Sequence, residues 1–227
     1  MHRRELLAAL AASTSIAVAG CMGGEDGNYE FDAEPARVPA SAVANAGYEG
    51  EAPEAFTLEQ EFDVAGVNAQ VSATTWVARY QNPDEESALF VASTPDASVA
   101  GQSVNPLVRA SDAELVRRLL EQVDQQGVGG EDSDIQADDI EERGSETRTV
   151  LGQEVEVSIL ETTVDADFET GDEQNESVED VPVLLYVGTV QHEDDVVALV
   201  GVHPLGVDAS ETLLSLMEQV EHPVTDL

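Results

Sequence analysis

Residues 56–80 carry the pattern that most limits how this chain can fold. Phe56, Leu58, Phe62 and Val64 alternate with Thr57, Glu59, Glu61 and Asp63. After Ala65-Gly66 the same period continues through Val67, Ala69, Val71, Ala73, Thr75 and Val77. A period of two puts every second side chain on one face of a strand, whereas a helix would scatter these residues around its axis. The spacing predicts an antiparallel hairpin with one wet face, turning at Ala65-Gly66 and ended by Asn82-Pro83. A third strand is expected at Ala88–Ser93, before a loop holding Pro95, Gly101 and Pro106.

Ser111 and Glu114 have the spacing of a capping box, and Leu115, Leu119, Leu120 and Val123 then mark one face of a helix that stops at Gly127. Residues 127–146 are acidic and almost free of core residues, which reads as a surface loop. A second hairpin is expected from Thr147–Leu151 and Glu154–Val164 around Gly152, followed by another acidic loop at 165–180. Val183–Gln191 and Val196–His203 flank the turn His192-Glu193-Asp194-Asp195 and carry apolar residues on both faces. A closing helix opens at Asp208 and Glu211, turns Leu213, Leu214, Met217 and Val220 inward, and stops at Pro223. Its Leu216-Met217-Glu218-Gln219-Val220 echoes Leu119-Leu120-Glu121-Gln122-Val123, and Ala198-Leu199-Val200-Gly201 echoes Ala88-Leu89-Phe90-Val91. The expected class is α+β: a mainly antiparallel sheet with two helices packed on one face, with an internal sheet-and-helix duplication as one explanation of the echoes.

Ahead of this domain stands MHRRELLAALAASTSIAVAGCMGG. Arg3 and Arg4 precede an apolar run from Leu6 to Ala19, which closes on Val18-Ala19-Gly20-Cys21. A basic start, a short apolar stretch and small residues before a processing point form an export signal. Fourteen helical residues reach only about 21 Å, short of a hydrocarbon core about 30 Å thick. Paired arginines fit twin-arginine export. Cys21 would carry the lipid, and as the single cysteine it leaves no internal disulfide. Residues 21–55 read as an acidic tether of roughly 30–35 Å, with a short helical piece near residues 39–46. One domain then fills 56–227.

Charge decides which functions are open. The chain has 47 acidic residues against nine basic ones, all of them arginine, for a formal net charge of −38. Such repulsion works against a compact state in dilute buffer, where the Debye length reaches about 30 Å, and fades at 1 M salt, where it is about 3 Å. The composition is read as a halophile's. It excludes nucleic-acid binding, which needs clustered cations, and it makes carboxylate clusters a poor guide to catalysis.

Few residues point to chemistry. His192 lies in an acidic turn, and His203-Pro204 and His222-Pro223 read as caps at element ends. With no HxH, HExxH or CxxC spacing, no metal or cofactor is expected. Asp165-x-Asp167-x-Glu169 starts like a calcium loop with Glu176 in twelfth place, but Thr170 stands where the glycine belongs. Gly101-Gln102-Ser103-Val104-Asn105 lacks the second glycine of a nucleophile elbow. Asn175-Glu176-Ser177 is a glycosylation sequon. Trp76 and Tyr80 share a strand face and either pack beneath a helix or form an aromatic patch for a partner.

Arg3-Arg4, the Val-Ala-Gly-Cys box, the lysine-free acidic body and the closing His203-Pro204-Leu205-Gly206 and Leu216-Met217-Glu218-Gln219-Val220-Glu221-His222-Pro223 resemble a group of uncharacterised haloarchaeal twin-arginine-exported lipoproteins. The resemblance implies a location, the outer face of the cell membrane, and carries over no activity and no catalytic residue. The expected function is a non-catalytic binding or accessory module, held to membrane lipid through Cys21 and open to a membrane-protein complex. The alternative is an extracytoplasmic enzyme whose carboxylates hide among the surface acids, which requires a pair of buried, facing acids. A purely structural envelope protein is disfavoured, since the chain lacks long repeats.

Overall fold

The computed structural model describes residues 28–64, 67–99, 102–103, 140–170 and 174–225. The strands are β1 (Asn28–Asp32), β2 (Glu49–Gly50), β3 (Glu54–Val64), β4 (Val67–Asn82), β5 (Ser87–Pro95), β6 (Ser98–Val99), β7 (Gln102–Ser103), β8 (Glu141–Val150), β9 (Gln153–Thr170), β10 (Gln174–His192) and β11 (Asp195–Pro204). The helices are α1 (Ala40–Asn45) and α2 (Ser210–Glu218). The α+β expectation is overturned. The described chain is mostly strand, in one large mixed sheet of nine strands with two short helices.

The sheet runs β1-β4-β5-β11-β10-β9-β8, with β2 and β3 also on β4. All its ladders are antiparallel except β1·β4, which is parallel. Two three-strand meanders, β3-β4-β5 and β9-β10-β11, meet where β5 pairs with β11 and Phe90 stands opposite Val200. That seam joins the two strands that echo each other in sequence. The helix expected from Ser111 lies outside the described residues.

Two of the three predicted hairpin turns follow from local chemistry, and the third, Ala65-Gly66, lies outside the described residues. β8 and β9 turn at Leu151-Gly152, with φ of 50° and 75°. Two successive positive φ values are what a two-residue hairpin needs to match strand twist, and glycine meets that need cheaply. β10 and β11 close on Glu193-Asp194, with His192 opposite Asp195. β11 is buried along nearly its whole length, which explains apolar residues on both its faces. Val197 and Leu199 join the core under the helices, while Val196, Ala198 and Val200 join a second cluster on the opposite face with Leu185, Val187 and Leu160.

Both acidic loops need correction where they are described, residues 127–139 of the first lying outside the described residues. Glu141–Glu146 belongs to β8, and the chain on either side of residues 171–173 lies in β9 and β10, paired from Thr170↔Gln174 to Val178↔Ala166. In a chain this acidic, glutamate marks a solvated strand as readily as a loop. The tether is corrected as well. Residues 28–55 are folded: β1 pairs with β4, and Ala33, Ala36, Val38, Ala42, Val43 and Tyr48 are buried. α1 falls where a short helical piece was expected. Its alanine-rich turn follows Pro39 and ends at Gly47, whose φ of 78° lets Tyr48 N–H reach Val43 O at 3.0 Å. α2 departs from its expected capping box, since Ala209 is its N-cap and makes no side-chain cap bond. Its buried face is as the spacing predicts: Leu213, Leu214, Met217 and Val220, joined by Leu216.

Tyr80 knots the N-terminal segment to the sheet, its hydroxyl oxygen accepting Val38 N–H at 2.7 Å inside the core. Burial pushes the hydroxyls of Tyr80, Tyr48 and Tyr186 above their ordinary pKa of 10.0. Unfolded tyrosines then lose their protons first. Stability is therefore full below pH 10 and falls as pH rises toward the folded values, by about 1.4 kcal/mol per pH unit for each tyrosine. Tyr80→Phe should cost about 1–3 kcal/mol at neutral pH, because it orphans a buried N–H. It should also make the alkaline decline about a third shallower. Urea melts between pH 9 and 11 read both effects, and an unchanged alkaline slope would refute the account.

Candidate functional site: two buried histidine clusters

The first cluster forms where the β10–β11 turn meets the segments flanking the sheet. His192 ends β10 and Asp195 opens β11. Ser93 comes from β5, and His222 from the extended C-terminal strap. That strap lies against the N-terminal one: Arg37 N–H donates to Glu221 O at 3.0 Å, Glu221 N–H to Arg37 O at 2.8 Å, and Val224 N–H to Pro35 O at 3.0 Å. The imidazole of His222 is fully buried. Its Nε2 lies 3.0 Å from Asp195 Oδ2 and 3.2 Å from Ser93 Oγ, and its Nδ1 lies 3.0 Å from Nδ1 of half-buried His192. The same Asp195 oxygen accepts Glu34 N–H at 2.8 Å. One carboxylate oxygen therefore joins both straps to the sheet.

Serine, histidine and aspartate together suggest nucleophilic catalysis, and the geometry argues otherwise. A relay needs the serine on one ring nitrogen and the carboxylate on the other. Here both meet Nε2. Ser93 is also 0% exposed, so no substrate reaches its hydroxyl.

The second cluster sits between β10, β11 and α2. His203 Nδ1–H donates to Pro204 O at 2.8 Å, which leaves Nε2 of the neutral ring as an acceptor 3.2 Å from both Ser210 Oγ and the Tyr186 hydroxyl. Tyr186 O–H donates to Ser210 Oγ at 2.7 Å. Tyr186 and His203 stack, with centroids 5.5 Å apart. His203 is 1% exposed. These groups satisfy one another and hold the start of α2 on the sheet.

Trp76 and Tyr80 do share a strand face. Tyr80 is 3% exposed and belongs to the core, while the partly buried Trp76 donates its indole N–H to Ala33 O at 2.9 Å. The packing leaves Tyr80 no surface to offer a partner, so the pair is no aromatic patch. Arg3, Arg4 and Cys21 lie outside the described residues. Asn175 stands in β10 opposite Glu169. The calcium-loop spacing from Asp165 to Glu176 falls across β9 and β10, a strand pairing unlike the helix-flanked loop its spacing imitates. Among the described residues no group of three or more His, Cys, Asp or Glu side chains could hold a metal ion. A groove of about 380 Å³ runs between α1 and α2, lined by Ala42, Ala46, Thr212, Ser215, Leu216 and their neighbours.

A family model described as a domain of unknown function, DUF6517, matches residues 35–221. The chain belongs to that family. The match begins within the N-terminal strap and ends beside His222, so the DUF6517 domain takes in most of the folded sheet and both helices. No curated protein and no solved structure matches the chain.

Sequence reasoning missed both clusters as clusters. Each histidine was visible singly, as a turn or end residue. The meeting of His192 with His222 depends on how the straps cross the sheet, and no sequence spacing encodes that crossing.

Proposed function

We propose that this DUF6517 protein is a lipid-anchored, extracytoplasmic module of a halophile, and that it binds or supports a partner without catalysing a reaction. The observation that carries the reading is the closure of both histidine clusters, whose polar groups are spent on one another and on the straps. The enzyme alternative calls for two buried, facing acids. Among the residues whose burial is described Asp195 is the one buried acid, and it faces a histidine. The arginine pair and the Val-Ala-Gly-Cys box support the address, and the lysine-free charge supports the halophilic setting. The early start of β1 adds a distance. Six residues lie between Cys21 and Asn28, so the domain would stand at most about 25 Å from its lipid, closer than a long tether allows.

Crosslinked pull-down of the tagged protein from washed membranes in molar salt tests the reading. A stoichiometric membrane-protein partner is expected. Recovery of the protein alone, together with a hydrolytic or transfer activity abolished by one point substitution, would overturn it. Cys21→Ala should release the protein from membranes into the medium, and retention on the membrane would refute the anchor.

A further inference from the structure

Of the six asparagines in the chain, Asn175 alone opens an Asn-x-Ser/Thr sequence, with Ser177 in third place. The register puts it where the sheet has run out. β10 pairs with β11 only from Val183 onward, and β8 reaches β9 no further along than Glu161. Beyond those rows, among the described residues, β9 and β10 pair with each other alone, from Val181↔Val164 to Gln174↔Thr170. Asn175, opposite Glu169, is one pair from the end of this ribbon. At about 3.3 Å per residue it stands roughly 25 Å out from the last row that β11 shares. The ladder is also broken between Val178 and Val181, which leaves a tip of five pairs beyond the irregularity.

We propose that Asn175 is an N-glycosylation site, modified after export by a transferase that draws on an oligosaccharide carried on a lipid phosphate. The site rests on the extracytoplasmic reading above. In the reaction Nδ2 of Asn175 attacks C1 of the first sugar. The N–C1 bond forms, the C1–O bond to phosphate breaks, and the lipid phosphate leaves with the electron pair. The amide proton passes to a base on the transferase. The twin-arginine route carries folded proteins, so the transferase meets the finished fold and has to find its acceptor outside the packed sheet. Asn82 shows the contrast: it is buried, its Nδ2 donates to Glu85 Oε2 at 3.1 Å, and Pro83 follows it. A two-stranded ribbon is marginally stable by itself in water. Its tip therefore opens at little cost, while the ladders around β5 and β11 stay closed. A sugar there adds polar bulk on an element that takes no part in the straps or in either histidine cluster.

The full-length protein is recovered from its own cells in molar salt, and its intact mass and the peptide spanning Asn175 are read by mass spectrometry. A glycan mass on Asn175 is expected. It should be lost in Asn175→Gln and in Ser177→Ala, and kept in Ser177→Thr, which supplies the same hydroxyl. Neither position belongs to the buried clusters of the core, so the three variants should fold as the parent does. Bare Asn175 in the parent chain, or a glycan mass retained in Asn175→Gln, would overturn the site. Protease added to whole cells separates the two failures. Digestion of a bare chain removes the site and leaves the extracytoplasmic address standing, whereas protection of a bare chain removes both.

Discussion

Dialysed from 3 M to 0.05 M salt, the domain is expected to lose its sheet. The sheet itself suggests where the loss begins. On the β8 edge Glu141 stands directly opposite Glu161, with Arg143 reaching both at 3.6 and 2.8 Å. Like charges opposite one another across a ladder are destabilising, and a single arginine serves two acids here. Arg148 is shared in the same way between Glu146 and Glu211. With 47 acids to nine arginines, most carboxylates have no cation to share. Their repulsion is short-ranged in molar salt and extends about 10 Å at 0.1 M. Circular dichroism against salt concentration measures the effect, and replacing salt with sucrose should not rescue the sheet. A spectrum unchanged down to 0.05 M would refute the halophilic reading.

Asp195→Ala is expected to cost about 3–5 kcal/mol, a large share of a domain's total stability. The substitution removes the acceptor for His222 Nε2–H and for Glu34 N–H together, and leaves two N–H groups, one on a fully buried imidazole, without a partner. For a domain of this size that corresponds to a fall in Tm of roughly 6–20 °C. Asp195→Asn keeps one acceptor oxygen and should lose about half as much. Urea melts in molar salt measure both variants. An alanine variant within about 1 kcal/mol of the parent would show that the straps hold without the carboxylate.

Where apolar residues alternate or crowd, the fold was legible. The Phe56–Tyr80 alternation became β3 and β4, and the run from Val183 to His203 became the β10–β11 hairpin, close at the turn and at the β11 end, while β10 starts nine residues earlier than expected, at Gln174. Legibility failed where strands are made of acids or of small residues. β8 reads as a loop because Glu141, Glu142 and Glu146 look like solvent-facing filler, yet an edge strand needs only one apolar flank. The N-terminal strap reads as a tether because its core residues are alanines, Val38 and Val43, scattered among proline and glutamate. Tyr29 and Phe31 did alternate with acids there, and they stack at 6.4 Å on β1. That period of two was the available signal. The histidine clusters were not legible at all, since Ser93 and His222 stand 129 residues apart and meet through sheet topology.

The direction of β1 has a mechanical meaning. It runs parallel to β4 over five register pairs, Asn28↔Gln70 to Asp32↔Thr74, and the Glu34–Asp195 bond lies just behind it. A pull on the N-terminal end acts along the strand axis, so it loads all five pairs together in shear and cannot unzip them one by one. In the proposed lipid-anchored setting, drag on the domain would then load β1 in shear, and the straps would hold under forces that peel a hairpin open.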